Sequence, residues 1–161
     1  PPFTPSLYNN NVQIIQGRDS AVIFTEMIHD ARIVTMGEKP PLHDNIRLWS
    51  GDSRGWYEDD TLVVETRNFN GLKQTLNYSG GGNNFAAVLT ERFTRVGYDT
   101  VEYQFTIDDP ATFTDRLIVI VPMTKVAGQL YEYACHEGNY GMQNLLRGAR
   151  MEEREVGEGS R

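Results

Sequence analysis

The sequence contains only one cysteine, Cys135, so no disulfide can form within these 161 residues. No CxxC pair is present, which removes the usual thiolate ligands of a structural zinc and the usual redox couple. Three histidines, His29, His43 and His136, could supply ligands together with nearby carboxylates, but no pair has HxH or HExxH spacing. We therefore predict no metal centre, and no motif implies a cofactor.

Long hydrophobic runs and excess positive charge are also missing. No apolar run approaches the roughly 20 residues that a membrane-spanning helix requires. Fifteen Lys and Arg stand against 22 Asp and Glu, which gives a formal net charge of -7 at pH 7. Such a field repels polyanions, so the composition argues against nucleic acid and membrane surfaces as partners. The first five residues, PPFTP, do not resemble a signal peptide, which we interpret as a processed chain or a fragment.

The composition and the length of the chain fit a water-soluble protein with one hydrophobic core. The chain has 39% hydrophobic residues and a mean hydropathy of -0.47, and its length fits one domain over residues 1–161. Short runs rich in Val, Ile, Phe, Tyr and Thr, separated by turn residues, predict strands. These predicted strands lie at 12–16, 21–35, 56–66 (a hairpin with an acidic turn), 87–96, 100–107, 116–123 and 130–135.

Helical spacing occurs only near the end of the sequence. Met142, Leu145, Leu146 and Ala149 recur as on one helix face, which predicts an amphipathic helix over 139–155 packed on the sheet. Residues 1–11 are expected to be irregular. We therefore predict an all-β fold: an antiparallel, lipocalin-like β-barrel with one C-terminal α-helix.

The first candidate site is the run EMIHDAR at 26–32, which brings an acid, an imidazole and a guanidinium into one predicted strand. Alternation places Glu26, Asp30 and Arg32 on one face and His29 on the other. If the first three face a cavity, Glu26 or Asp30 could act as a general base beside Arg32. The other interpretation is an ion pair on a solvated face.

The second candidate site lies at 131–140, a dense run of polar and aromatic residues before the helix. Cys135 and His136 are neighbours, but adjacent strand residues diverge, which favours a structural thiol over a nucleophile. The run GDSRG at 51–55 lacks the order of a nucleophile elbow. We interpret it as a turn in which Arg54 folds back onto a carboxylate such as Glu65.

Six runs together are similar to a known family. They are YNNN at 8–11, EMIHDAR at 26–32, GDSRG at 51–55, DTLVVET at 60–66, ERFTR at 91–95 and YEYACHEGNYGM at 131–142. The chain resembles, over nearly its whole length, uncharacterised exported proteins abundant in soil bacteria such as acidobacteria. The resemblance implies a secreted or periplasmic location and no particular reaction.

The resemblance also implies what this chain lacks. Family members usually carry a further cysteine in a longer N-terminal segment, which would give Cys135 a disulfide partner outside this chain. Val88 stands where relatives commonly have a histidine, and Asp115-Arg116 stand where a Pro-Trp pair is common. A role for that histidine is therefore not expected here.

Three functions are compatible with the sequence. The leading prediction is that the protein binds a small amphipathic ligand, phenolic or carbohydrate, in a barrel cavity. The ligand-binding residues predicted for it are Arg32, Trp56, Tyr131, Glu132 and Tyr133, with Glu26 lining the same cavity. The second is a lyase or hydrolase that uses His29 or His136 with Glu26 or Asp30. The third is a homo-oligomer paired through the apolar strand Leu117, Ile118, Val119, Ile120 and Val121.

Overall fold

The protein folds as one mainly antiparallel sheet of eight strands, followed by a single helix. The computed structural model describes residues 2–4, 11–26, 29–38, 40–71, 84–133, 138 and 140–158. The strands are β1 Val12–Gln16, β2 Ser20–Thr25, β3 Ala31–Met36, β4 Asp52–Glu58, β5 Thr61–Arg67, β6 Val88–Arg95, β7 Thr100–Asp108 and β8 Leu117–Thr124. A 3-10 turn spans Asn84–Ala86, and helix α1 spans Gly141–Glu158.

The strands lie in the sheet in chain order, with β1 and β8 at its two ends. Every neighbouring pair is antiparallel except β3 and β4, which are parallel and joined by the loop 37–51. The sheet curls into a half-barrel, which confirms the predicted fold class. Among the described residues, no helix has both the length and the apolar character needed to cross a membrane.

Alternating side chains determine which face of the sheet forms the core. On β7, Tyr103, Phe105 and Ile107 are buried on the inner face, while the alternate residues Glu102 and Gln104 point outward. β6 contributes Leu89 and Phe93 to the same inner face. The two ends of the sheet are less covered, because inward-facing residues of β1 and β8 are only partly buried.

Glycine allows two close approaches around β4. A Cβ at Gly55 would lie 2.7 Å from both the Met36 Sδ and the Val34 Cγ1, so only glycine lets β4 pack this closely on β3. Gly51 has a φ of 74°, and a Cβ there would lie 2.6 Å from the Arg67 carbonyl oxygen. The run at 51–55 is therefore not a turn as predicted, since β4 begins at Asp52.

The predicted strand over 21–35 is also corrected. It is a hairpin in which β2 ends at Thr25 and β3 begins at Ala31. His29 has a φ of 56°, a left-handed conformation that cannot continue a strand. The sequence contains no signal for this turn, because the segment is rich in apolar residues and has neither glycine nor proline between Ala21 and Thr35.

Differences also occur toward the C-terminus. The helix begins at Gly141, close to the predicted residue 139, but Met142 and Leu145 are more than two-thirds exposed, so its apolar face is not packed on the sheet. Residues 130–133 form no strand, and the remainder of the predicted strand at 130–135 lies outside the described residues. In β8, the predicted apolar strand, Ile118 and Ile120 are each 57% exposed on the outer face.

Candidate functional site

Three of the four predicted acid–base residues, Glu26, His29 and Asp30, lie in the turn between β2 and β3. The Glu26 carboxylate Oε2 accepts hydrogen bonds from the Asn11 backbone N at 3.3 Å and from its Nδ2 at 3.0 Å. The His29 ring contacts Phe24 edge-on, with the centroids 4.4 Å apart, and Asp30 is exposed. Within the described part of the chain, no hydrogen bond joins the His29 imidazole to a carboxylate, and His136 lies outside that part. The described geometry therefore assembles no acid–base pair here.

Arg32, predicted to contact a ligand, is instead buried and paired inside the half-barrel. Its Nη1 donates to the Glu91 Oε2 at 2.5 Å and its Nη2 donates to the Glu91 Oε1 at 3.0 Å. In a flat sheet, β3 and β6 would lie three strand spacings apart, about 14 Å. This contact therefore requires the curl of the sheet, which points both side chains toward the same interior.

Tyr103 and Phe3 complete this interior cluster. The Tyr103 hydroxyl donates to the Glu91 Oε1 at 2.8 Å and accepts from the Phe3 backbone N at 3.2 Å. Burial, together with the charge of Glu91, raises the pKa of Tyr103 far above its ordinary value. The Phe3 ring lies 5.6 Å from the Tyr103 ring and 5.9 Å from the Arg32 Cζ. We call Arg32, Glu91 and Tyr103 the buried cluster.

The other predicted ligand-binding residues do not converge on this interior. Tyr131 and Glu132 are exposed, and Tyr133 is 40% exposed, with its backbone N donating to the Glu26 carbonyl oxygen at 3.0 Å. Trp56 lies on the outer face of β4 and is 39% exposed. The structure thus brings Glu26 and Tyr133 together through this backbone hydrogen bond, whereas Arg32 is buried in the interior and Trp56 lies on the outer face.

A cleft on the outer face of β4 and β5 has the size of a small-molecule site. Its cavity volume is about 410 Å³, within the usual range of several hundred Å³. The lining residues come from the two strands, from the loop 37–51 and from the residue that follows β5, and they are Pro41, Asp44, Asp52, Arg54, Glu65, Arg67 and Asn68. We call this the outer cleft.

Charges alternate across the floor of the outer cleft. Asp52 lies opposite Arg67, and Arg54 lies opposite Glu65, so each acid has bases beside it and across from it. The Arg54 Nε and Nη2 donate to the Asp52 Oδ2 at 3.1 and 3.0 Å, and the Arg67 Nε donates to the Glu65 Oε1 at 2.7 Å. The hydrogen bond to Glu65 raises the pKa of Arg67. The four side chains are therefore held in place without a ligand.

The wall of the outer cleft is anchored by Asn68. This residue has a φ of 60° and is buried, and its Nδ2 donates to the carbonyl oxygens of His43 and Ile46 at 3.1 Å each. The Leu42 backbone N donates to the Asp52 Oδ2 at 3.2 Å, which ties the loop directly to the floor. Asparagine tolerates a left-handed backbone and bonds nearby main chain, so it suits this position.

A second group of side chains continues along β4 on the same outer face. The Trp56 Nε1 donates to the Glu58 Oε1 at 2.9 Å, and the Arg92 Nη2 donates to the Glu58 Oε2 at 2.8 Å. These two hydrogen bonds hold the pKa of Glu58 below its usual range, and the bond from the Trp56 indole has the larger effect. Because residues two apart on a strand share a face, the Trp56 side chain lies on the same face of β4 as Arg54.

The sequence contains a partial signal for this site. The patterns DxR at 52–54 and ExR at 65–67 each place an acid and a base on one strand face, but their juxtaposition depends on register. Among the described residues, no group of three or more His, Cys, Asp or Glu side chains could hold a metal ion. No protein-family model, no curated protein and no solved structure matches this chain.

Proposed function

We propose that this protein binds a small carbohydrate in the outer cleft. The observation that carries the proposal is a cavity of about 410 Å³ in which four of the five charged lining side chains are already held by hydrogen bonds. A preorganised site loses little side-chain entropy when a ligand binds, so more of the interaction energy appears as affinity.

The pattern of donors and acceptors favours a polyhydroxylated, uncharged ligand. Carboxylate oxygens only accept hydrogen bonds and guanidinium groups only donate them, whereas each sugar hydroxyl does both. Two acids and two bases form the floor, so the floor offers alternating acceptors and donors whose charges balance. Asp44 in the wall adds one negative charge, which disfavours an anionic ligand. Pro41 in the cleft and Trp56 beside it supply apolar surface for the C–H faces of a sugar ring.

The proposal moves the ligand from the predicted barrel cavity to the outside of the sheet. The centre of the inner face is filled by the buried cluster and by Phe3, and Glu91 and Tyr103 are each 0% exposed. A carbohydrate ligand also remains within the ligand classes that the sequence predicts. The resemblance to exported proteins supports a secreted or periplasmic setting for such a binder.

A titration followed by amide NMR tests the proposal. Cellobiose is expected to shift the amides of residues 52–56 and 63–67, while 4-hydroxybenzoate, a phenolic probe, is expected to leave them unchanged. Glu65→Gln removes the charge that holds Arg67, and we expect at least about tenfold weaker binding, since hydrogen bonds to charged groups contribute about 1.5 to 3 kcal/mol. Glu153→Gln, the same change on exposed helix α1, is the matched control and is expected to bind as the parent protein does.

Two outcomes would contradict this function. Shifts caused by 4-hydroxybenzoate but not by cellobiose would show that the ligand class is wrong. Shifts that cluster around Tyr131 and Glu132, together with a loss of affinity in Glu132→Gln but not in Glu65→Gln, would move the site to the region that the sequence predicts.

A further inference from the structure

Strand β8 ends the sheet and carries no charged residue over Leu117–Thr124. Its only strand neighbour in the described part of the chain is β7. An edge strand of this kind presents unpaired backbone groups, and natural proteins usually protect such edges with charged side chains. The outward-facing Ile118 and Ile120 are each 57% exposed instead.

Pro122 indicates which backbone groups of β8 face the open edge. Residues along an antiparallel strand point their N–H and C=O groups alternately to one neighbour and to the other. Proline has no N–H, so it fits where that group would point away from the neighbouring strand. Pro122 lies opposite Glu102 on β7, so the alternate residues Ile118 and Ile120 direct their backbone groups to the open side. The proline also limits the available edge to residues 117–121.

This stretch is complementary to itself. When two copies run antiparallel about Val119, Leu117 faces Val121 and Ile118 faces Ile120, so apolar residues meet apolar residues at each position. Ile118 and Ile120 then form hydrogen-bonded pairs across the junction, each pair exchanging both backbone bonds. A two-fold contact of this kind uses the same surface on both copies.

Charge at the ends of this stretch also favours a second copy. In the same register, Arg116 of one copy lies opposite Pro122 of the other, on the outer face. Beyond the short proline ring lies Glu102 on β7, which is exposed. Two strand spacings are about 10 Å, within the combined reach of an arginine and a glutamate side chain. Arg116 is 66% exposed at its side chain and keeps its contact with Asp108 in the single chain.

We propose that two copies of this protein associate through β8, paired antiparallel about Val119, so that two half-barrels share one continuous sheet. The contact also covers Val119 and Val121, inward-facing residues that are only partly buried in one copy. It lies on β8, away from the outer cleft on β4 and β5, so it does not depend on the proposed ligand.

Light scattering after size-exclusion chromatography over a range of concentrations is the first test, and a concentration-dependent dimer is expected. Ile120→Pro removes the central outward N–H without removing a β7–β8 bond, and it is expected to weaken the dimer at least tenfold. Ile120→Lys is expected to act in the same direction. Ile33→Lys is the matched control, because Ile33 is 66% exposed on β3, which has neighbours on both sides.

Two further measurements separate this geometry from general apolar association. Exchange of the Ile118 and Ile120 amides is expected to slow as protein concentration rises, while circular dichroism confirms that each variant folds. Glu102→Arg is expected to weaken the dimer, and adding Arg116→Glu is expected to restore it. A chain that stays monomeric at every concentration overturns the proposal. A dimer that survives both Ile120 variants but dissociates with Leu145→Lys on α1 also overturns it.

Discussion

The two faces of the half-barrel use the same chemistry in opposite environments. On the inner face, Arg32 and Glu91 form a two-pronged ion pair whose side chains are 6% and 0% exposed. On the outer face, Arg67 and Glu65 form an ion pair through one hydrogen bond, and their side chains are 56% and 34% exposed. Water reaches the second pair and not the first, so the two pairs differ in what they contribute to stability.

Because the inner pair is buried, neither charge can lose its partner without a large loss of stability. Removing two charges from water costs several kcal/mol for each ion, and the attraction between them, with its hydrogen bonds, offsets that cost. In the buried cluster, Glu91 accepts from both Arg32 and Tyr103, so its oxygens are satisfied. The exposed Arg67–Glu65 pair on the outer face gains little from pairing in water. Its donors and acceptors therefore stay available for exchange with a ligand.

The largest expected effect follows from breaking the inner pair. Arg32→Met keeps most of the side-chain volume but leaves the Glu91 carboxylate buried without its cation. We expect the free energy of unfolding to fall by about 3 to 5 kcal/mol, measured by urea denaturation. Arg67→Met on the outer face is the matched control, with an expected change within about 1 kcal/mol.

A double variant sharpens this comparison. Arg32→Met combined with Glu91→Leu replaces both charges by apolar side chains, and it is expected to recover most of the lost stability. If the double variant is as unstable as Arg32→Met alone, the loss comes from packing against Phe3 and not from an unpaired charge.

A smaller effect is expected for Tyr103→Phe. The change removes the hydroxyl that donates to Glu91 and accepts from Phe3, and an expected loss of about 1 to 3 kcal/mol follows from the unmet buried groups. The pKa of Tyr103 is raised in the folded state, so the unfolded chain loses this proton first as pH rises. The contribution is therefore complete below about pH 10 and decreases above it. Urea denaturation from about pH 8 to pH 11 should show a shallower decrease for Tyr103→Phe than for the parent protein.

Much of the fold follows from local patterns in the sequence. The alternation at Thr100–Ile107 predicts β7 within one residue, and the acidic turn after Trp56 predicts the β4–β5 hairpin. The turn at Glu26–Asp30 could not be predicted in this way, because it has no glycine or proline. A non-glycine residue, His29, takes the left-handed conformation there.

The buried cluster was partly predictable from the same alternation. Glu91 shares a strand face with Leu89 and Phe93, and Arg32 shares one with Val34, so each is a charge on an apolar face. Two such charges of opposite sign suggest a buried pair. The contact between them depends on the curl of the sheet across β4 and β5, which no local pattern specifies. The outer cleft likewise depends on how the loop 37–51 folds back onto Asn68.

The smallest expected effect on stability belongs to Glu65→Gln, the variant with the largest expected effect on ligand binding. The Glu65–Arg67 pair is exposed, so its loss is expected to change the free energy of unfolding by less than about 1 kcal/mol. Added salt screens exposed charges, so the difference between Glu65→Gln and the parent protein should shrink further as ionic strength rises. A salt-independent loss of several kcal/mol in urea denaturation would instead show that Glu65 is structural, as Glu91 is. The distinction between an inner face that holds the fold together and an outer face that is open to ligands depends on this result.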